Sequence, residues 1–462
     1  MPLVLGVDSS TQSTKVEVRD ADTGALVHEG RAPHAPTQPP CSEQDPRAWW
    51  EAFARARAGS PPVAAIAVAG QQHGLVVCDA NGAVIRPAKL WNDTQSAPDA
   101  DWLRSKLDDA GWANACGSVP VAAFTITKLS WLHRREPDAW ARIARVCLPH
   151  DWLTRQLTGA WTTDRGDASG TGYFSAATGE YRLDLLAIVD ADIDWAACLP
   201  RVLAPLDHAG TYEGAVVAPG TGDNMAAALG VALQPGDVAM SIGTSGTVFA
   251  VSETPTHDAS GAVAGFADAT GRFLPLVCTL NATKVTDAIA RLLAVDLARL
   301  DELALAAPPG AEGVTLVPYF DGERTPNRPD ATGTLAGLHS DVTREQVARA
   351  AIEGVVCGLL DGLDALHAAG VDARGRLVVV GGGARSGAFR QVVADCSGRP
   401  VIVPRATEHV AAGACVQAAA VVHGCAPESV AAAWQLGAGD LVEPVPDVDR
   451  DAIRARYRAV AQ

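Results

Sequence analysis

Two short segments far apart in the chain carry the hydroxyl groups best suited to holding phosphate. The first is Asp8-Ser9-Ser10-Thr11-Gln12-Ser13-Thr14-Lys15, and the second is Gly243-Thr244-Ser245-Gly246. A tight hairpin tip offers several unpaired backbone N–H groups. Small hydroxyl side chains add donors there without blocking close approach, so the tip becomes a nest for an anion. Either turn alone reads as an ordinary Ser/Thr turn. Two of them, each heading a similar segment, point to a polyphosphate gripped from both sides. Lys15 adds a cation beside the first, in a chain with five lysines against 32 arginines.

A carboxylate with a different task stands in Pro219-Gly220-Thr221-Gly222-Asp223-Asn224-Met225, ahead of an alanine-rich helical segment. Asp223 reads in two ways. It could cap that helix by accepting orphan amides. Or, flanked by glycines that admit a substrate, it could accept a proton from a hydroxyl that attacks phosphorus. Gly70-Gln71-Gln72-His73-Gly74 and Trp91-Asn92-Asp93 combine amides, an imidazole, a carboxylate and an aromatic plane. Sugars bind to such mixtures, because their hydroxyls donate and accept while their C–H faces stack on rings. The plainer reading is turn residues around a buried tryptophan.

Gly381-Gly382-Gly383-Ala384-Arg385-Ser386-Gly387 lies between an apolar strand and a helix, where glycines let backbone approach a nucleotide and the helix start favours negative charge. It does not complete the dinucleotide fingerprint. No segment matches the P-loop or the nucleophile elbow, so those fold classes lose support. No histidine has metal-ligand spacing, and His150 beside Asp151 reads as the start of a helix.

The elements that must position these residues are legible in outline. Leu3 to Val7, Lys15 to Arg19 and Ala25 to Ala32 predict three antiparallel strands. Val63 to Ala69, Gly74 to Cys78 and Ala83 to Ile85 predict a second meander. Helical patterns follow, at Thr127 to Arg134 and Asp151 to Leu157 among others. Near Asp237 the pattern restarts, with strands at Val238 to Ile242, Val248 to Ser252 and Phe273 to Leu276. Helices are then expected at Ala282 to Leu293 and Arg344 to His367, a strand at Val378 to Val380, and an arginine-rich amphipathic helix at Asp449 to Ala461. LGVDSSTQSTKVEV and MSIGTSGTVFAV are two versions of one strand–turn–strand unit, which predicts two similar domains meeting near residues 218–237.

Composition narrows the partners. The 462 residues, 48% of them apolar, suffice for two to four domains with cores of their own. A net charge of −16 repels phosphate backbones and anionic headgroups, so neither nucleic acid nor a membrane surface is expected as a partner. The ten cysteines include no C-x-x-C pair and lie in apolar segments, as reduced thiols of a cytosolic enzyme do. The opening MPLVLGVDSS lacks a basic leader region, and the longest alanine-rich stretch is too short to span a bilayer. A cytoplasmic location is therefore expected.

Taken in order, GVDSSTQSTK, SEQDP at 42–46, GQQHG, LWND at 90–93, GTGDN at 220–224, SIGTSG at 241–246, GERTP at 322–326 and GGGARS at 381–386 resemble the FGGY carbohydrate kinases. GTLAGLHSDVTREQVARAAIE, from Gly333 to Glu353, fits that family's C-terminal signature. The resemblance covers essentially the whole chain. It implies an α/β fold of two actin-like (ribonuclease H-like) ATPase domains with a catalytic cleft between them. The N-terminal domain would span 1–232, rejoined by the C-terminal helix 447–462, and the nucleotide-binding domain would span 233–446.

By this resemblance the substrates would be ATP with Mg²⁺ and a small sugar, most simply a pentulose, with a homodimer left open. Asp223 would be the catalytic base, and Asp8 would hold the magnesium. Thr11, Lys15, Gly243, Thr244 and Ser245 would contact the phosphates, and Gly382, Gly383 and Gly387 would line the nucleoside. Gln72, His73, Asp223 and Asn224 would meet the sugar, with Trp91, Asn92 and Asp93 beside it. Three departures stand out: Gln72 where many relatives have methionine, Gln95 where arginine is common, and Arg135 closing a segment that keeps Lys128 and Trp131. Gln72 and His73 also replace the Arg-Glu pair expected of a glycerol-type acceptor. The alternatives are another ketose or polyol as acceptor, or a non-metabolic actin-like ATPase.

Overall fold

A computed structural model describes residues 1–406 and 408–462. By internal packing the chain divides into two units. The first comprises Met1–Ala232, Glu253–Leu274 and Glu408–Gly437; the second comprises Leu233–Ser252, Pro275–Thr407 and Ala438–Gln462. Both are α/β.

In the first unit, Leu3–Ser9, Ser13–Asp20 and Leu26–Pro33 form the expected antiparallel hairpins. Of the second meander only the outer turn forms: Cys78 bridges Val84 antiparallel around Asp79–Gly82 and the Ile85 amide donates to the Val77 carbonyl, while the first strand goes elsewhere. Ala65–Gly70 runs parallel to Leu3–Ser9 on one side and to Ala215–Val217 and Thr221–Gly222 on the other. Every residue of AIAVAG is buried, the mark of a parallel strand covered on both faces. Val76–Cys78 leaves this sheet to pair with Arg145–Cys147.

One face of the sheet is covered by helix Pro46–Ala56, with Asp45 at its N-cap and Trp49, Ala52, Phe53 and Ala56 facing inward at helical spacing. Against the first strand lies His409–His423, whose alanines permit very close packing. A Cβ on Gly6 would stand 2.1 Å from the Ala411 carbonyl oxygen. The same helix crosses Asp223–Gly230 backbone to backbone: a Cβ on Gly413 would lie 1.8 Å from the Ala226 carbonyl, and one on Gly230 1.8 Å from that of His409. The small residues thus fix the helix that Asp223 begins.

The second unit repeats the plan. Val238–Ile242 and Gly246–Ala250 form an antiparallel hairpin, and Val238–Ile242 also runs parallel to Leu377–Val380. Leu377–Val380 pairs in parallel with Val401–Pro404, which Gly439–Val442 borders antiparallel. Phe273–Thr279 flanks the hairpin. Helix Arg344–Ala368 starts with a capping box of Thr343 and Gln346.

The C-terminal helix, Arg450–Val460, does not rejoin the first unit; it belongs to the second. Its apolar stripe is only Ile453 and Tyr457, and Arg454 and Arg458 both pair with Asp361 and Asp364 on Arg344–Ala368. The segment that returns to the first unit is His409–His423, buried nearly all round. Among the described residues no single helix is long and apolar enough to cross a membrane.

Candidate active site

The first unit gathers its polar residues where three parallel strands end. Asp8 and Ser9 lie beside Ala69 and Gly70 on one flank of the central strand, and Thr221 and Gly222 lie beside the same two residues on the other. Two strand spacings, about 10 Å, therefore separate the two flanks at this level. Chain continuity places Gln71-Gln72-His73 between Asp8 and Asp223. Ligands of α/β sheets bind at such carboxyl ends.

Asp223 is not the N-cap of its helix; Gly222 is, and Asp223 is the first helical residue. Its carboxylate is left for other work. Asn224 Nδ2 donates to Asp223 Oδ1 at 2.9 Å and to Gln72 Oε1 at 2.8 Å, which joins base and amide into one chain. Desolvation by the surrounding protein, with like charge from Asp8 and Asp167, pushes Asp223 up to about 7. That value suits a general base near neutral pH.

Burial also pushes Asp8 up to about 6, against the pull of Lys15. Lys15 stands opposite Asp8 across the hairpin, with Nζ 3.4 Å from Asp8 Oδ2 and 2.6 Å from Glu408 Oε2. Asp8 Oδ1 is buried and has no hydrogen-bond partner among the described residues. An acceptor left unpaired in this way fits a cation or its bound water.

Thr11 behaves differently from expectation. Its hydroxyl donates to Gln71 Oε1 and receives the Trp91 indole N–H, both at 2.9 Å. Trp91 thus braces the first loop, and only the backbone of Thr11 is left to meet phosphate. His73 adopts positive φ, donates from Nδ1 to the Gly170 carbonyl at 2.7 Å, and packs against Phe124 and Phe266. Gln72 is buried, with its Nε2 unpartnered among the described residues. Asn92 is partly exposed, and its Oδ1 has no partner among the described residues.

Asp93 is not presented to a ligand. It is fully buried, accepts the Ser42 and Gln95 amides and pairs with Lys89 at 3.2 Å. Lys89 is itself fully buried; it also donates to Gln95 Oε1 at 2.6 Å and lies 3.8 Å above the Trp131 ring. The unusual Gln95 is therefore a partner of this lysine.

In the second unit, the Gly243-Thr244-Ser245 tip is pinned by the start of helix Thr283–Leu292. The Thr283 amide donates to the Gly243 carbonyl and the Ala282 amide to that of Thr244, while Thr244 is exposed. The glycine run lies against the same hairpin. A Cβ on Gly381 would come 2.8 Å from the Ile242 carbonyl, and one on Gly383 2.4 Å from Ile242 Cγ2. Gly382 faces open space. The Gly387 amide is already taken: Asp301 accepts the Gly387 and Ala388 N–H groups at 3.0 Å, together with the Ser386 hydroxyl. A protein carboxylate thus occupies the helix start expected to face the nucleotide.

Three residues at the site are not among those the sequence marks out: Glu408, Asp301 and Asp167. No local pattern marks Glu408 or Asp301, since each meets its partner across a long stretch of chain. Asp164 and Asp167 fall in Thr163-Asp164-Arg165-Gly166-Asp167, an acidic turn that could have been noticed.

Two α/β units, each with a hydroxyl-rich hairpin tip, and carboxylates at the strand ends of the first define the actin-like ATPase class of fold. Within that class the comparisons identify the family. The N-terminal domain of the FGGY family of carbohydrate kinases matches residues 3–230, and its C-terminal domain matches residues 238–422. The chain belongs to the FGGY family of carbohydrate kinases. It is 48% identical over 458 residues to the xylulose kinase of Streptomyces coelicolor, covering 96% of this chain and 93% of that one. To the Escherichia coli xylulose kinase it is 35% identical over 421 residues, covering 86% and 85%. The crystal structure of xylulose kinase from Bifidobacterium adolescentis superposes with a TM-score of 0.87 at 43% identity, covering 100% of this chain and 99% of that one.

Proposed function

We propose that the protein transfers the γ-phosphoryl group of ATP to the C5 hydroxyl of D-xylulose, with Asp223 as general base. The observation that carries the assignment of the base is the Asp223–Asn224–Gln72 chain at the strand ends. It gives a carboxylate of raised pKa a fixed orientation beside an amide donor that has no partner among the described residues.

As the sugar hydroxyl approaches phosphorus, Asp223 accepts its proton, the new O–P bond forms, and ADP leaves with the electrons of the old one. Such transfers rely on positioning and electrostatics more than on covalent help. Asn224 holds one carboxylate oxygen of Asp223. The Gln72 amide would donate to an oxygen of the ketose, and His73, locked by Gly170 and two phenylalanines, would line the same pocket. Asp8 would hold Mg²⁺, directly or through water, and the ion when bound would neutralise charge on the phosphates. Lys15 and the Thr11 amide would meet phosphate oxygens, as would the Gly243–Ser245 tip, with Gly382 and Gly383 admitting the nucleoside, while Ser10 donates within its own turn to the Ser13 carbonyl.

Gln72 and the burial of Asp93 bear on the acceptor, so the decisive test is a panel of pentuloses, hexuloses and polyols assayed for ADP release. D-xylulose is expected to give the highest kcat/KM. A higher value for any polyol would overturn the acceptor, and sugar-independent turnover of ATP at the same rate would overturn the reading as a sugar kinase.

A further inference from the structure

Behind Asp223 lies a buried charged cluster that the proposed chemistry leaves unused. His150, on helix Pro149–Thr158, is fully buried. Its Nδ1 lies 3.1 Å from Asp151 Oδ1 and 3.1 Å from Asp167 Oδ2, and its Nε2 lies 3.0 Å from the Pro219 carbonyl oxygen. Both ring nitrogens thus face acceptors, and a ring that donates from both is an imidazolium. Burial opposes that charge, yet Asp151 and Asp167 hold the pKa of His150 well above its ordinary value.

The ring is wedged between the two strand ends that build the site. A Cβ on Gly70 would stand 2.7 Å from His150 Cβ, and one on Gly220 2.7 Å from its Cδ2. Gly70 leads directly into Gln71-Gln72-His73, and Gly220 leads into Thr221-Gly222-Asp223. The second lead-in is held at Pro219, Gly220 and Thr221 in turn. His150 takes the Pro219 carbonyl, Gln417 donates to that of Gly220 at 3.2 Å, and the Thr221 hydroxyl donates to Asp164 Oδ2 at 2.7 Å. Asp164 in turn accepts the Asp167 amide.

We infer that His150, held as an imidazolium between Asp151 and Asp167, is a positioning residue for Asp223, fixing the Pro219–Gly222 lead-in and balancing the negative charge behind the base. This rests on the reading of Asp223 as the base. The groups facing His150 are Asp151 on its own helix and Asp164 and Asp167 from 162–168, with Cys147 and Tyr173 beyond Asp151. Those facing Asp223 are Asp167, Asn224 and Asp8, with Lys15 and Glu408 beyond Asp8. Asp167 belongs to both sets and carries the coupling. Its like charge favours the protonated form of Asp223, and His150 offsets that charge.

The test uses four variants of the full chain. His150→Gln is expected to lower kcat by about 10–100-fold, with KM for sugar and nucleotide within about threefold. His150→Lys, which restores a cation and a donor, is expected to recover most of that loss; a purely structural role would not track charge. Asp167→Asn removes a like charge and is expected to shift the acidic limb of kcat/KM to lower pH, and it remains informative if His150→Gln folds poorly. Wild-type kcat in His150→Gln overturns the inference, as does an unmoved acidic limb in Asp167→Asn. The control is Asp223→Asn: if it retains activity, the base assignment itself is lost. If it is dead while the other three behave as wild type, only the role of His150 is lost.

Discussion

Asn224 Nδ2 lies 2.9 Å from Asp223 Oδ1, and that contact orients the carboxylate and tempers the basicity that burial gives it. A hydrogen bond to the charged form favours that form, so Asn224 lowers a pKa that burial raises. Asn224→Ala should remove about 1.5–3 kcal/mol of charge-assisted hydrogen bonding, or roughly 10–100-fold in kcat/KM. The acidic limb of its pH profile should move upward. A variant with unchanged pH dependence would show that the contact does not bear on the reacting carboxylate.

The pH profile of the wild type follows from the same group. Asp223 must be ionised to accept a proton, and its pKa is raised to about 7. Activity should therefore fall as pH drops through about 7 and level off above it. A profile flat down to pH 5 would contradict the assignment.

Stability should move the opposite way. The folded pKa of Asp223 lies above its unfolded value, so the protonated form stabilises the fold at low pH. That contribution fades as pH rises through about 7. Asp223→Asn cannot ionise and should melt higher than wild type at pH 8 but not at pH 4, while losing catalysis. Thermal melts at the two pH values check this, and equal melting differences at both would count against a desolvated carboxylate.

Much of this architecture is legible in the sequence, and what is not has physical reasons. The two hairpins with hydroxyl-rich tips are local objects, set by alternation and turn residues, and both form with shifts of a residue or two. Ala65–Gly70 misleads because a fully buried parallel strand has no alternation to reveal its partners. Asp223 could be read as a cap or as a base, and only the geometry shows that Gly222 occupies the cap position. Asp93 resembles a ligand-facing acid until its partner Lys89 is found buried beside it. Asp301 at the start of Gly387–Ser397, and Glu408 on Lys15, are long-range pairings with no local signature.

The glycine crossing beneath Asp223 gives a prediction remote from the chemistry. Gly413→Ala would place a Cβ 1.8 Å from the Ala226 carbonyl, so the two helices must separate. Overpacking of this kind costs about 1–3 kcal/mol. The variant should melt several degrees lower and lose kcat as Asp223 shifts, which a thermal melt and a rate measurement would show. An unchanged melting temperature would mean that the crossing yields freely.

Lys15 offers a way to separate nucleotide binding from sugar binding. Lys15→Met removes the cation shared by Asp8 and Glu408. KM for ATP-Mg²⁺ should rise about tenfold, the value of one charge-assisted contact, with KM for the sugar within about twofold. The reverse pattern would place Lys15 at the sugar rather than at the phosphates.

The most direct measurement is single-turnover phosphorylation of D-xylulose by Asp223→Asn, with ATP binding followed in parallel. Loss of the general base should slow transfer by at least about 10²–10⁴-fold while nucleotide affinity stays within about threefold. Transfer within tenfold of wild type would show that a different group takes the proton of the hydroxyl.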